Sequence, residues 1–353
     1  MSAQTVAAGA SRAVSTVALD RRRRNARAIG VSLVLAVLVA LVSAVSLTLG
    51  DAGVAPSDVL AALVGRADRL TSFVILDLRL PRLLAAVLVG GCLGLSGALF
   101  QSVARNPLAS PDIIGITTSA SATGALALVW FGIGGLALSG VVLVGTLVAA
   151  VLIYLLAWRN GVSGYRFVLV GIGFAAICAG IVSYVLTRAD LRDVQQALVW
   201  ITGSLNSVDG TSLAVLAVSA VVLVPAALLV GRPLAALGLG DDVAAGIGVR
   251  PERTRILSVG VGVALAAVAV SVAGPIAFVA LLAAPVARRL VGRGTLALVP
   301  AALVGALVLV LSDVVAQFAV PGVVFPVGVV TGIVGAPYLL WQLTRTNRVG
   351  RGG

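Results

Sequence analysis

The sequence contains no lysine and no histidine, and it has one glutamate and two cysteines. A phosphate-binding P-loop needs a lysine after its glycine-rich turn, so the chain does not carry that motif. Metal sites in proteins use histidine, clustered cysteine or carboxylates, and none of these is grouped here. We interpret Cys92 and Cys178 as small apolar residues packed between helices rather than as a redox pair.

Charge is also scarce. Only 11% of the 353 residues are charged and 60% are apolar, whereas an average soluble domain has roughly 25% charged residues. A membrane-spanning helix needs about 20 predominantly apolar residues. The sequence therefore predicts an all-α membrane protein with ten spans, at 28–49, 83–104, 113–131, 135–157, 166–187, 211–231, 254–273, 275–290, 296–318 and 326–343.

All 25 basic residues are arginines, and the net charge of +12 invites comparison with nucleic-acid-binding proteins. Their distribution favours a membrane orientation instead. If the N-terminus is cytoplasmic and ten spans follow, 19 arginines fall in inside segments. The remaining six outside are Arg66, Arg69, Arg79, Arg82, Arg188 and Arg192. This asymmetry predicts that both termini are cytoplasmic and that nucleic acid is not a partner.

Residues 1–27 are rich in Ser, Ala and Arg and are predicted to be a disordered cytoplasmic tail. A secretory signal is the alternative. The apolar run that follows RRRRNAR is about 20 residues long and lacks a clear small-residue cleavage site, so we interpret it as an uncleaved first span. The transmembrane domain is predicted over 28–345, with a second cytoplasmic tail over 346–353.

The segment RNPLASPDIIG (105–115) interrupts two apolar runs on the predicted cytoplasmic side. Pro107 and Pro111 lack backbone donors and disfavour helix in the residue before each, while Asn106 can bond to the backbone of the turn. The pattern predicts a sharp, rigid turn. It leaves open whether the turn is a simple connection or has a function.

A second cytoplasmic segment, LGLGDDVAAGIGVRPERTR (237–255), predicts a short helix outside the bilayer. Asp241 is a candidate N-cap, Asp242 suits the positive helix start, and Gly246 or Gly248 could end the helix. Such a helix could bind a cytosolic partner or rest on lipid.

Two further features lie toward the opposite face. LRLPR (78–82) places Arg79 and Arg82 outside, against the charge rule, where they could pair with lipid headgroups or with carboxylates of an external protein. Asp313, in LSDVVAQ, falls well inside a predicted span. An intramembrane acid can couple transport to ions; the alternative is a structural Asp bonded to backbone or to an arginine.

Together, seven segments resemble the iron-siderophore permease family, the FecCD-type membrane subunits of ABC importers that also include the vitamin B12 permease. The resemblance extends over nearly all of the chain from about residue 30. The matching segments are LRLPR (78–82), LSGALFQSVARNPLASPDIIGI (95–116), WITGSLNSVD (200–209), LGDDVAAGIGV (239–249), GPIAFVALLAAPVARR (274–289), LSDVVAQ (311–317) and FPVGVVTGIVGAPYLLWQL (325–343).

The resemblance implies a type II ABC importer permease fold, a second permease subunit, two ATP-binding subunits and an extracytoplasmic siderophore-binding protein. ATP and magnesium would be bound by the partner ATPases, with no cofactor on this chain. The implied sites form three groups: docking of the binding protein at Arg79, Arg82 and Gln317; a cytoplasmic gate at Asn106, Pro107, Leu108, Gly164 and Tyr165; and ATPase coupling at Asp241, Asp242, Ala244 and Gly248 within 237–255.

The sequence departs from the family pattern at three places. Ala284-Pro285 stands where many relatives have Pro-His, Gln317 where an arginine is usual, and Val324 where a glutamate is common. A different second permease could supply what is missing, which favours a heterodimer.

The sequence predicts that the chain is the permease subunit of a ferric siderophore importer and does no covalent chemistry. Three alternatives remain: import of vitamin B12, another corrin or haem; a proton-coupled secondary transporter that uses Asp313; and a structural membrane subunit.

Overall fold

The backbone of a membrane span must satisfy its own hydrogen bonds, so long apolar runs form helices. The computed structural model describes residues 3–50, 54–158, 164–292 and 294–349, with backbone alone for 3–21, 164–165, 343 and 345–349. Fourteen α-helices occur in these residues: α1 (Ala3–Thr48), α2 (Pro56–Leu63), α3 (Arg69–Ser72), α4 (Leu80–Ala104), α5 (Ile116–Phe131), α6 (Gly135–Ala157), α7 (Gly164–Arg188), α8 (Leu191–Thr202), α9 (Gly210–Leu237), α10 (Asp241–Gly246), α11 (Pro251–Ala273), α12 (Val279–Val291), α13 (Leu298–Phe318) and α14 (Val327–Val349). A π-helical segment, Phe73–Arg79, joins α3 to α4.

Each of the ten predicted spans coincides with one of these helices. Seven stretches of the described chain are long and apolar enough to cross a membrane: Arg22–Thr48, Arg69–Ala104, Gly135–Ala157, Arg166–Arg188, Gly210–Leu237, Pro251–Ala273 and Leu298–Phe318. The other three helices have shorter apolar stretches, namely α5, α12 and the Val327–Gln342 part of α14. The predicted all-α, multi-span architecture is confirmed.

Two predicted boundaries differ at places where the backbone turns inside the bundle. The third and eighth spans were predicted from 113 and 275, but α5 begins at Ile116 and α12 at Val279. Gly274, with a φ of 70°, ends α11, and Pro275 follows it. Because that backbone is not helical, α12 has only 13 residues.

The N-terminal segment also differs from the prediction. Residues 3–27 were expected to be disordered, yet they belong to the continuous helix α1. The segment is rich in Ala and Arg, which are strong helix formers, and it contains no proline. These helix propensities explain why helix α1 continues beyond the apolar span toward the N-terminus.

Helix α4 is the centre of the bundle and packs against α9, α11, α12 and α13. Small residues allow the close approach: a Cβ at Gly94 would overlap the carbonyl of Ala301 on α13, and one at Gly97 would overlap the carbonyl of Ala280 on α12. In a bilayer, helix association gains little from the hydrophobic effect because the lipid is itself apolar. Close backbone packing of this kind stabilises the helix pairs instead. The helix pairs also define two ends of the bundle, which we name after the residues found there. At the Arg82 end α4 begins and α13 ends; at the Asn106 end α4 and α9 finish and α11 and α13 begin.

Candidate functional site

The turn 105–115 follows α4 at the Asn106 end. Arg105 takes the left-handed conformation, with a φ of 51°, and stops the helix. The side-chain carbonyl of Asn106 accepts a hydrogen bond from the Leu108 N–H at 2.9 Å, and the Asn106 backbone carbonyl accepts one from the Ala109 N–H at 3.1 Å. The predicted sharp turn and the local bonding of Asn106 are therefore confirmed.

Three long-range hydrogen bonds connect the turn and the end of α4 to α12, and the sequence pattern gave no sign of any of them. Asp112 accepts a hydrogen bond from the Phe278 N–H at 3.2 Å, just before α12 begins. Near the end of α4, Gln101 donates to the Leu281 carbonyl at 2.9 Å and accepts from the Arg288 guanidinium. The turn and α12 are consequently held together from both sides.

The Asn106 end contains an open cavity of about 620 Å³. Its lining includes Asn106 and Pro107 from the turn, Arg288 from α12 and Leu239, which lies between α9 and α10. Two of the predicted gate residues thus border this cavity, while the side chain of Leu108 is half-buried beside them. Gly164 and Tyr165 begin α7 and lie outside the residues whose side chains the structure describes.

The predicted short helix after residue 237 is present as α10. Asp241 is its first residue rather than its N-cap; the N-cap is Gly240, whose φ of 105° suits glycine. Asp241 instead accepts hydrogen bonds from Arg255 at 2.7 Å and from Arg105 at 3.3 Å. The prediction of Asp241 as N-cap is wrong, since Gly240 is the N-cap and the Asp241 carboxylate accepts hydrogen bonds from two arginines instead.

The other predicted coupling residues divide between two environments. Ala244 is fully buried against the bundle, whereas Asp242 is exposed. Helix α10 ends at Gly246, and Gly248 has a φ of 86°, which disfavours any residue with a side chain. Three apolar side chains around α10 are exposed, namely Leu239, Val243 and Ile247. The exposed surface of α10 and its flanking residues is therefore acidic at Asp242 and apolar at Leu239, Val243 and Ile247.

At the Arg82 end, the predicted docking residues and the intramembrane acid meet in one cavity of about 270 Å³. Arg82 binds Asp313 with both ends of its guanidinium, the shortest distance being 2.7 Å between Nη2 and Oδ1. The Gln317 side-chain amide donates to the same carboxylate at 2.7 Å. Arg79 donates to the Leu47 carbonyl at 2.7 Å. The docking residues are thus held by contacts within the chain.

The position of Asp313 distinguishes its two possible roles, ion coupling and structural stabilisation. Its side chain is 4% exposed and that of Arg82 is 15% exposed. A buried carboxylate needs both a charge partner and hydrogen bonds to offset its loss of hydration, and Asp313 has both. The structure accordingly favours the structural alternative, a carboxylate bonded to an arginine near the end of α13.

These features define a class of protein: a polytopic, all-helical membrane protein with a charged cluster at each end of a closely packed bundle. The chain belongs to the FecCD transport family, whose family model matches residues 36–345. The resemblance deduced from the sequence is therefore confirmed.

Individual relatives agree with the family. The chain is 39% identical to the ferric enterobactin transport system permease protein FepG of Escherichia coli over 83% of this chain and 88% of the relative. It is 36% identical to the probable siderophore transport system permease protein YfhA of Bacillus subtilis, over 90% and 95% of the two chains. A solved structure described as an inward-facing metal-chelate type ABC transporter matches with a TM-score of 0.79 at 26% identity, covering 90% of this chain and 99% of the other. The type II ABC permease fold predicted from the sequence is supported by this match.

Proposed function

We propose that this chain is the permease subunit of an ATP-driven importer that carries a ferric siderophore across the cytoplasmic membrane. The observation that carries the proposal is α10, a short helix with an exposed surface whose Asp241 accepts a hydrogen bond from Arg105, the first residue of the turn after α4. A membrane subunit that takes its energy from a separate ATPase needs an exposed element to which that ATPase can bind. The similarity to permease proteins and to a solved transporter structure supports this assignment.

The partners follow from the same assignment. Two ATP-binding subunits dock on α10 and hydrolyse ATP with magnesium, since this chain has no lysine and hence no P-loop. A second permease completes the path, and a different homologue is favoured because Gln317, Val324 and Ala284-Pro285 depart from the family pattern. Both termini are cytoplasmic, which makes the Asn106 end the inner one and the Arg82 end the outer one.

An extracytoplasmic siderophore-binding protein docks at the outer end on Arg79, Arg82 and Gln317. Carboxylates of that protein would form charge-assisted hydrogen bonds with the two guanidinium groups. Arg82 already binds Asp313, which fixes the orientation of its guanidinium before the partner arrives. The ordering cost of docking is reduced by this preorganisation.

The inner gate is formed by Asn106, Pro107 and Leu108 in the turn, with Gly164 and Tyr165 as its second part. A gate must return to one closed geometry after each ATPase cycle, and a turn stiffened by two prolines and the Asn106 hydrogen bonds does so. The siderophore chelates its own iron, so transport needs no metal ligands from this chain.

The experiment that tests the proposal is uptake of radiolabelled ferric siderophores by cells with and without this chain. A strain with inactivated partner ATPases and parallel uptake of vitamin B12 serve as controls. Loss of one ferric chelate both without the chain and with the dead ATPase is the expected result. Lost vitamin uptake with intact siderophore uptake would assign a corrin cargo, and uptake that survives the dead ATPase would exclude an ABC importer.

A further inference from the structure

The carboxylate of Asp241 joins the consecutive helices α10 and α11 to the end of α4, which is distant in sequence. It is the first residue of α10. Arg255, in the second turn of α11, donates to both of its oxygens at 2.7 Å. Arg105, which ends α4, donates to one oxygen at 3.3 Å. We call Asp241, Arg105 and Arg255 the Asp241 triad.

Arg105 has a second contact that makes this link specific. Its guanidinium also donates to the carbonyl of Leu237, the last residue of α9, at 2.5 Å. Carbonyls at a helix C-terminus have no partner in their own helix and attract cations. The Arg105 side chain consequently binds both the end of α9 and the start of α10, which restrains the connection between the two helices.

The backbone of Arg105 belongs to the turn itself. It takes the left-handed conformation that stops α4, and Asn106, Pro107 and Leu108 follow at once. A displacement of α10 that pulls on Arg105 therefore acts on the first residue of the turn. The ion pair is therefore adjacent in the chain to Asn106, Pro107 and Leu108, the first part of the predicted gate.

The exposure of the triad also depends on assembly. The side chain of Arg105 is 55% exposed and that of Asp241 is 44% exposed. Ion pairs in water are weak because solvent screens them. A protein that covers α10 would remove water from the pair and strengthen it. The link is therefore tightest when an ATPase subunit is docked.

We propose that Asp241 and Arg105 are positioning residues that transmit the movement of α10 to the turn 105–115. This proposal rests on the proposed function and adds to it the pair of side chains through which coupling passes. Arg255 holds Asp241 in place from α11, which does not lead into the turn, and its role is to orient the carboxylate.

The test uses the complete importer, reconstituted in vesicles with its binding protein and the ferric siderophore identified by the uptake experiment. Cargo transported per ATP hydrolysed is measured for the wild type, Arg105→Gln, Asp241→Asn and the double variant. Each single variant is expected to lower this ratio about five-fold, and the double variant no further, because either single change already breaks the Arg105–Asp241 contact through which coupling passes. ATP hydrolysis stimulated by the loaded binding protein should continue.

Two comparisons separate transmission from a general loss of structure. Arg105→Lys keeps a cation beside Asp241 and should restore at least half of the wild-type ratio. Arg232→Gln removes an exposed arginine of α9, outside both the triad and the 237–255 segment, and should leave the ratio unchanged. Wild-type coupling in Arg105→Gln, or a double variant whose loss is the product of the single losses, would overturn the proposal. If the wild-type complex itself shows no ATP-driven uptake, the proposed function fails and this inference fails with it.

Discussion

Arg82 and Asp313 illustrate how a charged pair is kept inside a membrane protein. The guanidinium makes contacts to both carboxylate oxygens, and Gln317 adds a further donor to one of them. Arg82 precedes Asp313 by 231 residues, and the two are brought together because the start of α4 packs beside the end of α13. The pair thus fixes the alignment of these two helices at the Arg82 end.

Asp313→Asn should destabilise the protein by at least about 2 kcal/mol, because it leaves a largely buried arginine without its counter-ion. Thermal unfolding in detergent measures this. The remaining uptake should be unaffected when a protonophore dissipates the proton gradient at constant ATP. Uptake that is abolished in Asp313→Asn and also abolished by the protonophore would instead support a proton-coupled transporter.

A matched control for this substitution is Asp77→Asn. Asp77 borders the same cavity but is exposed, so its loss should change the stability by no more than about 0.5 kcal/mol. Equal destabilisation by both substitutions would contradict the structural role assigned to the ion pair.

Among the elements, α10 is small enough for its geometry to be tested by single glycines. Gly248→Ala should distort the segment after α10, since a left-handed conformation costs a non-glycine residue about 1–2 kcal/mol. A Cβ there meets no other atom within 4 Å, so the effect comes from the backbone conformation and not from a steric clash. We expect reduced transport and reduced stimulation of the ATPase, with normal membrane insertion. Siderophore uptake, the ATPase rate of the purified complex and the membrane content of the variant measure these three properties.

Gly246→Ala is the matched control for this change. A Cβ at Gly246 also meets no atom within 4 Å, but Gly246 is helical and alanine favours a helix by about 1 kcal/mol. Transport should be maintained in this variant. A loss of transport as large as that of Gly248→Ala would show that any side chain in this region interferes, whatever its backbone conformation.

The elements also show where sequence reasoning succeeds and where it stops. Long apolar runs such as 135–157 were placed correctly because composition alone dictates a helix in lipid. The short helix α12 begins four residues later than predicted, because the non-helical backbone after Gly274 is apolar too. Helix α8 was not predicted, since its 12 residues are too short and too polar to stand out as a span.

For the candidate sites, the same limit is seen in the pairing of charges. The sequence singled out Arg82, Asp313 and Asp241 individually by their unusual positions. It did not pair Arg105 with Asp241, which lie 136 residues apart. Which helices are neighbours decides such pairs, and apolar runs of similar composition carry little information about their neighbours.

At the scale of the whole molecule, the orientation in the membrane is a prediction that cysteine labelling can test. Cys92 and Cys178 are both buried, so they should react little with a maleimide. Leu70→Cys, at an exposed position before α4, should be labelled by a membrane-impermeant maleimide in intact cells. Arg23→Cys, exposed on α1, should be labelled only after permeabilisation. The reverse pattern would invert the topology.

Helix α4 connects the two charged clusters without interruption. Arg82 lies in its first turn and Arg105 directly follows its last residue. The two arginines are therefore separated along the helix axis by about 35 Å, at about 1.5 Å per residue. Gly94 and Gly97 press this helix against neighbouring backbone, which leaves it little room to bend. A helix packed in this way would move as one rigid piece, so a displacement at one end of α4 would also displace its other end. Docking of the loaded binding protein at the outer end and ATP hydrolysis at the inner end would then be coupled mechanically by a single helix that spans the bilayer.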